Sequence, residues 1–371
     1  MYDAFGIVNS SARDVWVEGM QEYRPIGAFS FLGRYRVIDF PISNMSNSNI
    51  DRIMVYVNNK PRSLVEHVGT GRHYNINSKS GRLHLLFSEN KGRNDIYNTD
   101  ISSYIENMEY VRRQHNPYVV IAPNYMVYTI DYSSLIATHV ESGADITMLY
   151  HAVDNAKEAY LNCKVLNLNK QKGVLSLEPN HGNAKNRNIF MDTYVMKTEL
   201  FIDLVYKARE LSSMFTLADM VNEVCGELDV RGVAHRGFFA SITDFKSYYD
   251  ANMSLIDYKS AQNLFNEDWP IYTRTNDSCP THYYDTAEVR NSIISNGCMI
   301  EGTIENSIIG RGCVIKKGAV IRNSIVLGGC VIGENVHVEN HVVDKQAKII
   351  RAKEVVAPPE NPGYVKRSDT L

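Results

Sequence analysis

The chain is short of the features that usually assign a protein at once. Its 371 residues hold six cysteines, none in a C-x-x-C pair, which argues against a thiolate metal site and a disulfide scaffold. Charge of either sign is unremarkable, with Lys plus Arg at 39 against Asp plus Glu at 42 and a net charge of −3. No long basic run offers a nucleic-acid footprint. Apolar runs such as YVVIAP (118–123) fall far short of the roughly 20 residues that span a bilayer. The opening MYDAFG lacks the basic start and apolar core of a secretory signal. Walker motifs and a Ser-His-Asp order are also missing. The expectation is a cytoplasmic protein with free thiols and with neither nucleic acid nor membrane as partner.

Glycine is scarce in one informative place. FGIVNSSARDVWVEGM, residues 5 to 20, runs from an apolar strand into a loop with no glycine between Gly6 and Gly19. Nucleotide-handling α/β proteins often put a glycine-rich phosphate loop at such a point, because glycine lets backbone N–H groups approach phosphate oxygens closely.

The first 250 or so residues alternate short apolar runs (YDAFGIV, RIMVYVN, YVVIAP, ADITMLYHAV) with helical stretches such as SSYIENMEYVRRQ and SSLIATHVESG. That alternation predicts a mostly parallel sheet covered by helices. KVLNLNKQKGVLSLEP reads as a hairpin, and DFKSYYDANMSLIDYKSAQNLF as one helix leading into a linker. Beyond residue 284 or so the period changes. Ile308, Val314, Val320, Val326, Ile332 and Val338 follow at intervals of six, punctuated by Gly302, Gly310, Gly312, Gly318, Gly328 and Gly333. A hexad of β-branched residues predicts a parallel β-helix, three short strands to a coil. Its open ends and flat faces favour association with another subunit. The chain therefore reads as an α/β domain over 1–255, a helix end and linker over 256–283, and a β-helix over 284–371.

GRYRVIDFPISNMSNSNI (33–50), SLVEH (63–67), SYYDANMSLID (247–257) and NSIISNGCMIEG (291–302) carry a resemblance to the bacterial ADP-glucose pyrophosphorylase family. Those enzymes make ADP-glucose from ATP and glucose 1-phosphate. The resemblance spans nearly the whole chain. It implies a Rossmann-like nucleotidyltransferase domain followed by a C-terminal left-handed parallel β-helix.

The departures from the family pattern decide the functional expectation. Aligned on Arg24-Pro25, the phosphate-loop glycines fall on Asn9, Ser10 and Ala12, and the catalytic arginine on Asp14. The two metal-binding aspartates fall on Asn124 and Ser241. Both replacements are neutral, and Mg²⁺ prefers anionic oxygens, so its binding is expected to be lost. The sugar-phosphate lysine falls on Glu178, reversing a contact worth roughly 4 kcal/mol at intermediate dielectric. The resemblance thus points to the family's non-catalytic subunits, which associate with a catalytic homologue and raise its activity. No catalytic residue and no cofactor are expected here. A weakly active glucose-1-phosphate adenylyltransferase using substitute residues is the alternative, and a hexapeptide acyltransferase with His337 or His341 as base is a third class. Arg34, Arg36 and Arg72, with His67, His73 and Arg82 nearby, form a candidate site for a phosphorylated sugar effector.

Overall fold

The computed structural model describes residues 2–10, 15–77, 79, 81–88 and 97–371. Four parallel strands, Tyr118–Pro123, Ala4–Asn9, Arg52–Val57 and Arg82–Phe87, lie side by side in that order. Ala4–Asn9 is buried along its whole length, as a central parallel strand covered on both faces must be. Arg187–Lys197 runs antiparallel beside Tyr118–Pro123, pairs on its other side with Ile146–Val153, and meets Lys164–Leu168 at Ile189, whose opposite neighbour is His151. The expected hairpin forms from Lys164–Leu168 and Val174–Pro179, and Val230–Ala234 adds parallel to Ile146–Val153. Two apolar clusters fill the two faces of this sheet.

The structure breaks two helices that the sequence pattern joins. SSYIENMEYVRRQ is split at Asn107 into Asp100–Glu106 and Met108–Arg112. The Asn107 amide donates to the carbonyls of Phe87 at 3.2 Å and Ser103 at 3.1 Å, tying the break to the sheet edge. The second helix stops at Ser254 and restarts at Tyr258, where Asp257 caps the new turn through Ser260 N. Local side-chain bonds of this kind compete with the helical ladder.

Three five-stranded parallel sheets wind the C-terminal domain into the β-helix. Its period corrects the hexad count. Ile308 pairs with Ile325, which pairs with Val342, so a coil there takes 17 residues in steps of six, six and five. Val314 and Val320 are therefore only half-buried, and their neighbours Ile315 and Ile321 fill the coil core with Val326, Ile332 and Val338. The short step is made at a corner where Asn291, Asn306, Asn323 and Asn340 take left-handed backbone angles, a conformation asparagine tolerates well. Their side chains form a ladder, Asn291 Nδ2 to Asn306 Oδ1 at 3.0 Å and Asn306 Nδ2 to Asn323 Oδ1 at 2.7 Å.

One face of the coil is apolar on both sides. Ile309, Val326 and Val343 point into the coil core, and Ile308, Ile325 and Val342 are buried within the cluster of the sheet domain. Polar contacts lock this seam. Arg24 Nη2 reaches Asp344 Oδ1 at 2.6 Å with both side chains almost fully buried, and Tyr364 Oη donates to Asp344 Oδ2 at 2.7 Å. Gly33, at φ +67, lies so close to the coil that an added Cβ would meet Ser295 Oγ at 2.4 Å and Ile309 O at 3.1 Å.

Candidate functional site

Asn9 and Pro123 end neighbouring parallel strands in register, and a crevice opens beyond them, where open α/β sheets bind ligands. Ala12 and Asp14 lie outside the described residues. Asn9 and Ser10 line a cavity of about 380 Å³. Asn9 is 7% exposed, and its Oδ1 is buried without a partner. Ser10 Oγ accepts from Asn58 Nδ2 at 2.7 Å.

The other replaced positions do not converge on that cavity. Asn124 is bound to the strand ends through its backbone, its N–H donating to Asn9 O at 3.1 Å. Its side chain packs on Gly27, and its Oδ1 is buried and unpartnered. Ser241 accepts a thiol hydrogen bond from Cys163 at 3.3 Å and lines a separate depression beside Tyr160 and Asp244. At the two metal positions a divalent cation would find an amide oxygen and a hydroxyl, neither anionic, which fits Mg²⁺ poorly. Glu178 sits on the hairpin facing Arg187 at 3.6 Å, outside the cavity lining.

Two carboxylates that the sequence pattern did not single out do line the cavity, Asp100 and Asp192. Asp100 accepts from its own helix at Ile101 N, 2.8 Å, and from Leu217 N, 3.1 Å, at the start of the next helix but several. Burial first, then the Asp192 charge, pushes its carboxyl up to about 7. Asp192 interrupts a strand at φ +47, between the shifted registers at Phe190 and Tyr194, and burial raises its pKa as well. Tyr125 Oη donates to it at 3.0 Å. A half-buried acid in a backbone conformation that favours glycine is strained, and such strain concentrates at functional positions. The sequence gives no local warning, because the bulge that aims Asp192 arises from pairing with three different strands.

A second cavity, of about 430 Å³, lies between the two domains and is strongly basic. Arg24, Arg34 and Arg36 reach it from the sheet domain, Arg274 from the linker, and Arg311, Lys345 and Arg367 from the β-helix, and Glu66 is the one acid among the described residues that line it. The structure brings Arg34, Arg36 and His67 together here. Arg72 is exposed in a nearby turn and does not line the cavity, and Arg82 belongs to a different basic patch with Arg52, Lys79 and Arg113. Arg274, Arg311, Lys345 and Arg367 were hidden from the sequence reading by their distance along the chain. The cations repel one another. Burial, then Arg36 and Arg24, lowers Lys345 to about 6, and burial, then Arg24, lowers Arg36 to about 10. Arg24 Nε and Nη1 and Arg311 Nε are buried with no acceptor. Unpaired buried donors beside mutually repelling cations make the cavity's electrostatics favourable to an anion. Behind it, Asp39, His67 and His73 bring three possible metal-ligating atoms within 4.8 Å of one another. Asp39 Oδ1 is already taken there by His67 Nε2 at 2.6 Å and Tyr74 Oη at 2.6 Å.

The sheet domain with the crevice at its strand ends corresponds to the sequence profile described as Nucleotidyl transferase, which matches residues 23–257. The chain belongs to that family. A second profile, GlmU-like, C-terminal hexapeptide, matches residues 280–361, in keeping with a left-handed parallel β-helix. Among individual relatives, the chain is 28% identical over 362 residues to the glycogen biosynthesis protein GlgD of Bacillus subtilis, covering 98% of this chain and 95% of that protein. It is 29% identical over 322 residues to GlgD of Geobacillus stearothermophilus, covering 85% and 82%. Against the glucose-1-phosphate adenylyltransferase of Fervidobacterium nodosum it is 26% identical over 346 residues, covering 92% and 83%. Among the described residues no helix is long and apolar enough to cross a membrane.

Proposed function

We propose that this chain serves glycogen biosynthesis as a regulatory and assembly subunit, impaired in catalysis itself and activating a catalytic ADP-glucose pyrophosphorylase homologue in a hetero-oligomer. The observation that carries the reading is a contrast between its two cavities. The positions expected to hold metal carry neutral Asn124 and Ser241 outside the crevice at the strand ends, and the crevice itself is lined by the half-buried carboxylates Asp100 and Asp192, a poor setting for a triphosphate and Mg²⁺. The cavity between the domains keeps a full set of cations with unpaired donors. Relatives named for glycogen biosynthesis and for glucose-1-phosphate adenylyltransfer support the pathway.

The basic cavity is the proposed site of a phosphorylated sugar effector. It is built from both domains and the linker, so an anion bound there draws the β-helix and the sheet domain together. A partner that contacts both domains would then favour one arrangement, and coupling of about 1–3 kcal/mol changes activity 5- to 150-fold. The test is pyrophosphate release by the purified chain alone, by a catalytic partner alone, and by the mixture, with complex size followed in parallel. Negligible turnover alone and a mixed oligomer with raised activity or altered effector response are expected. Full turnover by the isolated chain, or a mixture that behaves as the sum of its parts, overturns the reading.

A further inference from the structure

Lys345 is the one lysine among the described residues that line the basic cavity, and it shares the wall with six guanidiniums, those of Arg24, Arg34, Arg36, Arg274, Arg311 and Arg367. The neighbouring carboxylates are engaged elsewhere. Asp344 accepts from Arg24 Nη2 at 2.6 Å, from the Lys345 backbone N–H at 2.6 Å and from Tyr364 Oη at 2.7 Å, and Glu66 holds Arg62 at 2.8 Å. Neither forms an ion pair with Lys345 Nζ among the described residues. Like charges crowded in this way are relieved where a proton can leave. A guanidinium does not lose one in a protein, whereas an ammonium does. The loss therefore falls on Lys345, which burial, then Arg36 and Arg24, holds down to about 6. At about pH 7.5 its amine is neutral roughly a thousandfold more of the time than an ordinary lysine's.

A neutral lysine is a nucleophile, and the groups around it lack an acceptor. Arg24 Nε and Nη1 and Arg311 Nε are buried without a partner. Carbon dioxide is the small electrophile whose adduct meets both conditions. The amine lone pair attacks its carbon and an N–C bond forms. One C–O π pair moves onto oxygen, and an N–H proton leaves to solvent. Nothing is oxidised or reduced, and a neutral side chain becomes a carbamate anion. The planar carboxylate of a carbamate suits the guanidinium fork, in charge-assisted hydrogen bonds stronger than those to water. A simple aldehyde would instead give an imine, neutral or cationic, and would leave the orphan donors unsatisfied.

From one amine placed among six guanidiniums and unpaired donors we infer that Lys345 is a carbamylation site, at which the cavity takes up carbon dioxide as an Nζ-carboxylate held by the surrounding arginines. The inference shares its cavity with the effector reading and rests on the same surplus of cations. It needs neither a sugar phosphate nor a partner subunit, so each can fail without the other.

The experiment equilibrates the full chain with ¹³C-labelled bicarbonate and carbon dioxide and reads the carbamate by ¹³C NMR. Alkylation with a trialkyloxonium salt then fixes the adduct, and peptide mass spectrometry locates it. An adduct on Lys345 is expected in the unmodified sequence and is expected to be absent from Lys345→Met and Lys345→Arg. At fixed dissolved carbon dioxide, a neutral amine releases one proton per molecule fixed and an ammonium two. Lowering the pH from 8 to 7 should therefore cut the ratio of adduct to free amine about tenfold at Lys345, against about a hundredfold for an ordinary lysine. Arg36→Met removes the cation that acts most strongly on Lys345 and should lower the adduct ratio about tenfold, as for a lost charge-assisted hydrogen bond, with thermal melts establishing that the fold is retained. No adduct on Lys345, adducts confined to other lysines, a hundredfold pH response at Lys345, or an unchanged ratio in folded Arg36→Met would each overturn the assignment. Calorimetric titration with inorganic phosphate reads the effector site separately, and phosphate binding without a Lys345 adduct would leave that reading standing and this one refuted.

Discussion

Replacing Arg24 with Met tests how the two domains are held. Arg24 is 1% exposed and Asp344 fully buried, with Nη2 and Oδ1 2.6 Å apart. At an effective dielectric near 20 their attraction is about 6 kcal/mol, most of it offset by the cost of desolvating both groups. Removing one partner keeps that cost and loses the attraction, so the loss in stability should be about 3–5 kcal/mol. The lower end applies, because Asp344 keeps hydrogen bonds from Tyr364 Oη at 2.7 Å and Lys345 N at 2.6 Å. Arg24→Met paired with Asp344→Asn should cost clearly less than the two single changes added together, since the double variant leaves no lone buried charge. Urea unfolding of the four proteins, followed by circular dichroism and by tyrosine fluorescence, supplies the cycle. The pair joins different domains, so Arg24→Met should also separate the two probes' transitions. A loss under about 1 kcal/mol, as for an exposed pair, or strict additivity in the cycle, would refute the argument.

Further outcomes follow from the same geometry. Ile325→Ala empties a position in the ladder between coil and sheet domain and should cost about 2–5 kcal/mol by denaturant titration. Gly33→Ala places a Cβ in a left-handed residue against the coil and should cost at least about 1 kcal/mol, with effector binding weakened because Gly33 lines the basic cavity. Lys345 has a folded pKa of about 6 against an ordinary 10.5. Between those values the unfolded chain holds the extra proton, so this group makes stability rise with pH across the window, and Lys345→Met should flatten that slope. A sugar phosphate in the cavity favours the charged lysine, so its binding near pH 7 should take up a proton, measurable by calorimetry in buffers of different ionisation enthalpy. Asp100 shows the opposite sign: its carboxyl is raised from 3.8 to about 7, the folded state holds the extra proton between them, and stability should fall as pH rises through that range. Asp100→Asn should remove this dependence.

The sequence by itself determined the two architectures, because both are written in local periods. Buried runs such as AFGIVN must be covered on both faces, and a recurring pair of β-branched residues must stack coil on coil. The expected replacements at Asn124, Ser241 and Glu178 rest on residue type and the resemblance alone. The count of six was misleading at Val314 and Val320, since a corner asparagine in a left-handed conformation shortens every third step, and the repeated Asn-Ser or Asn-His before paired aliphatics was the available signal. What only the tertiary structure decided is where distant charges meet. Arg36 and Arg311 are separated by 275 residues, yet they line one cavity because the apolar seam of Ile308, Ile325 and Val342 seats the coil on the sheet domain. Asp192 reaches the other cavity only because its strand is bulged between partners of unequal register. Periodicity is a property of neighbours along the chain, whereas a site's charge is summed over neighbours in space, and hydrophobic burial of the seam is what converts one into the other.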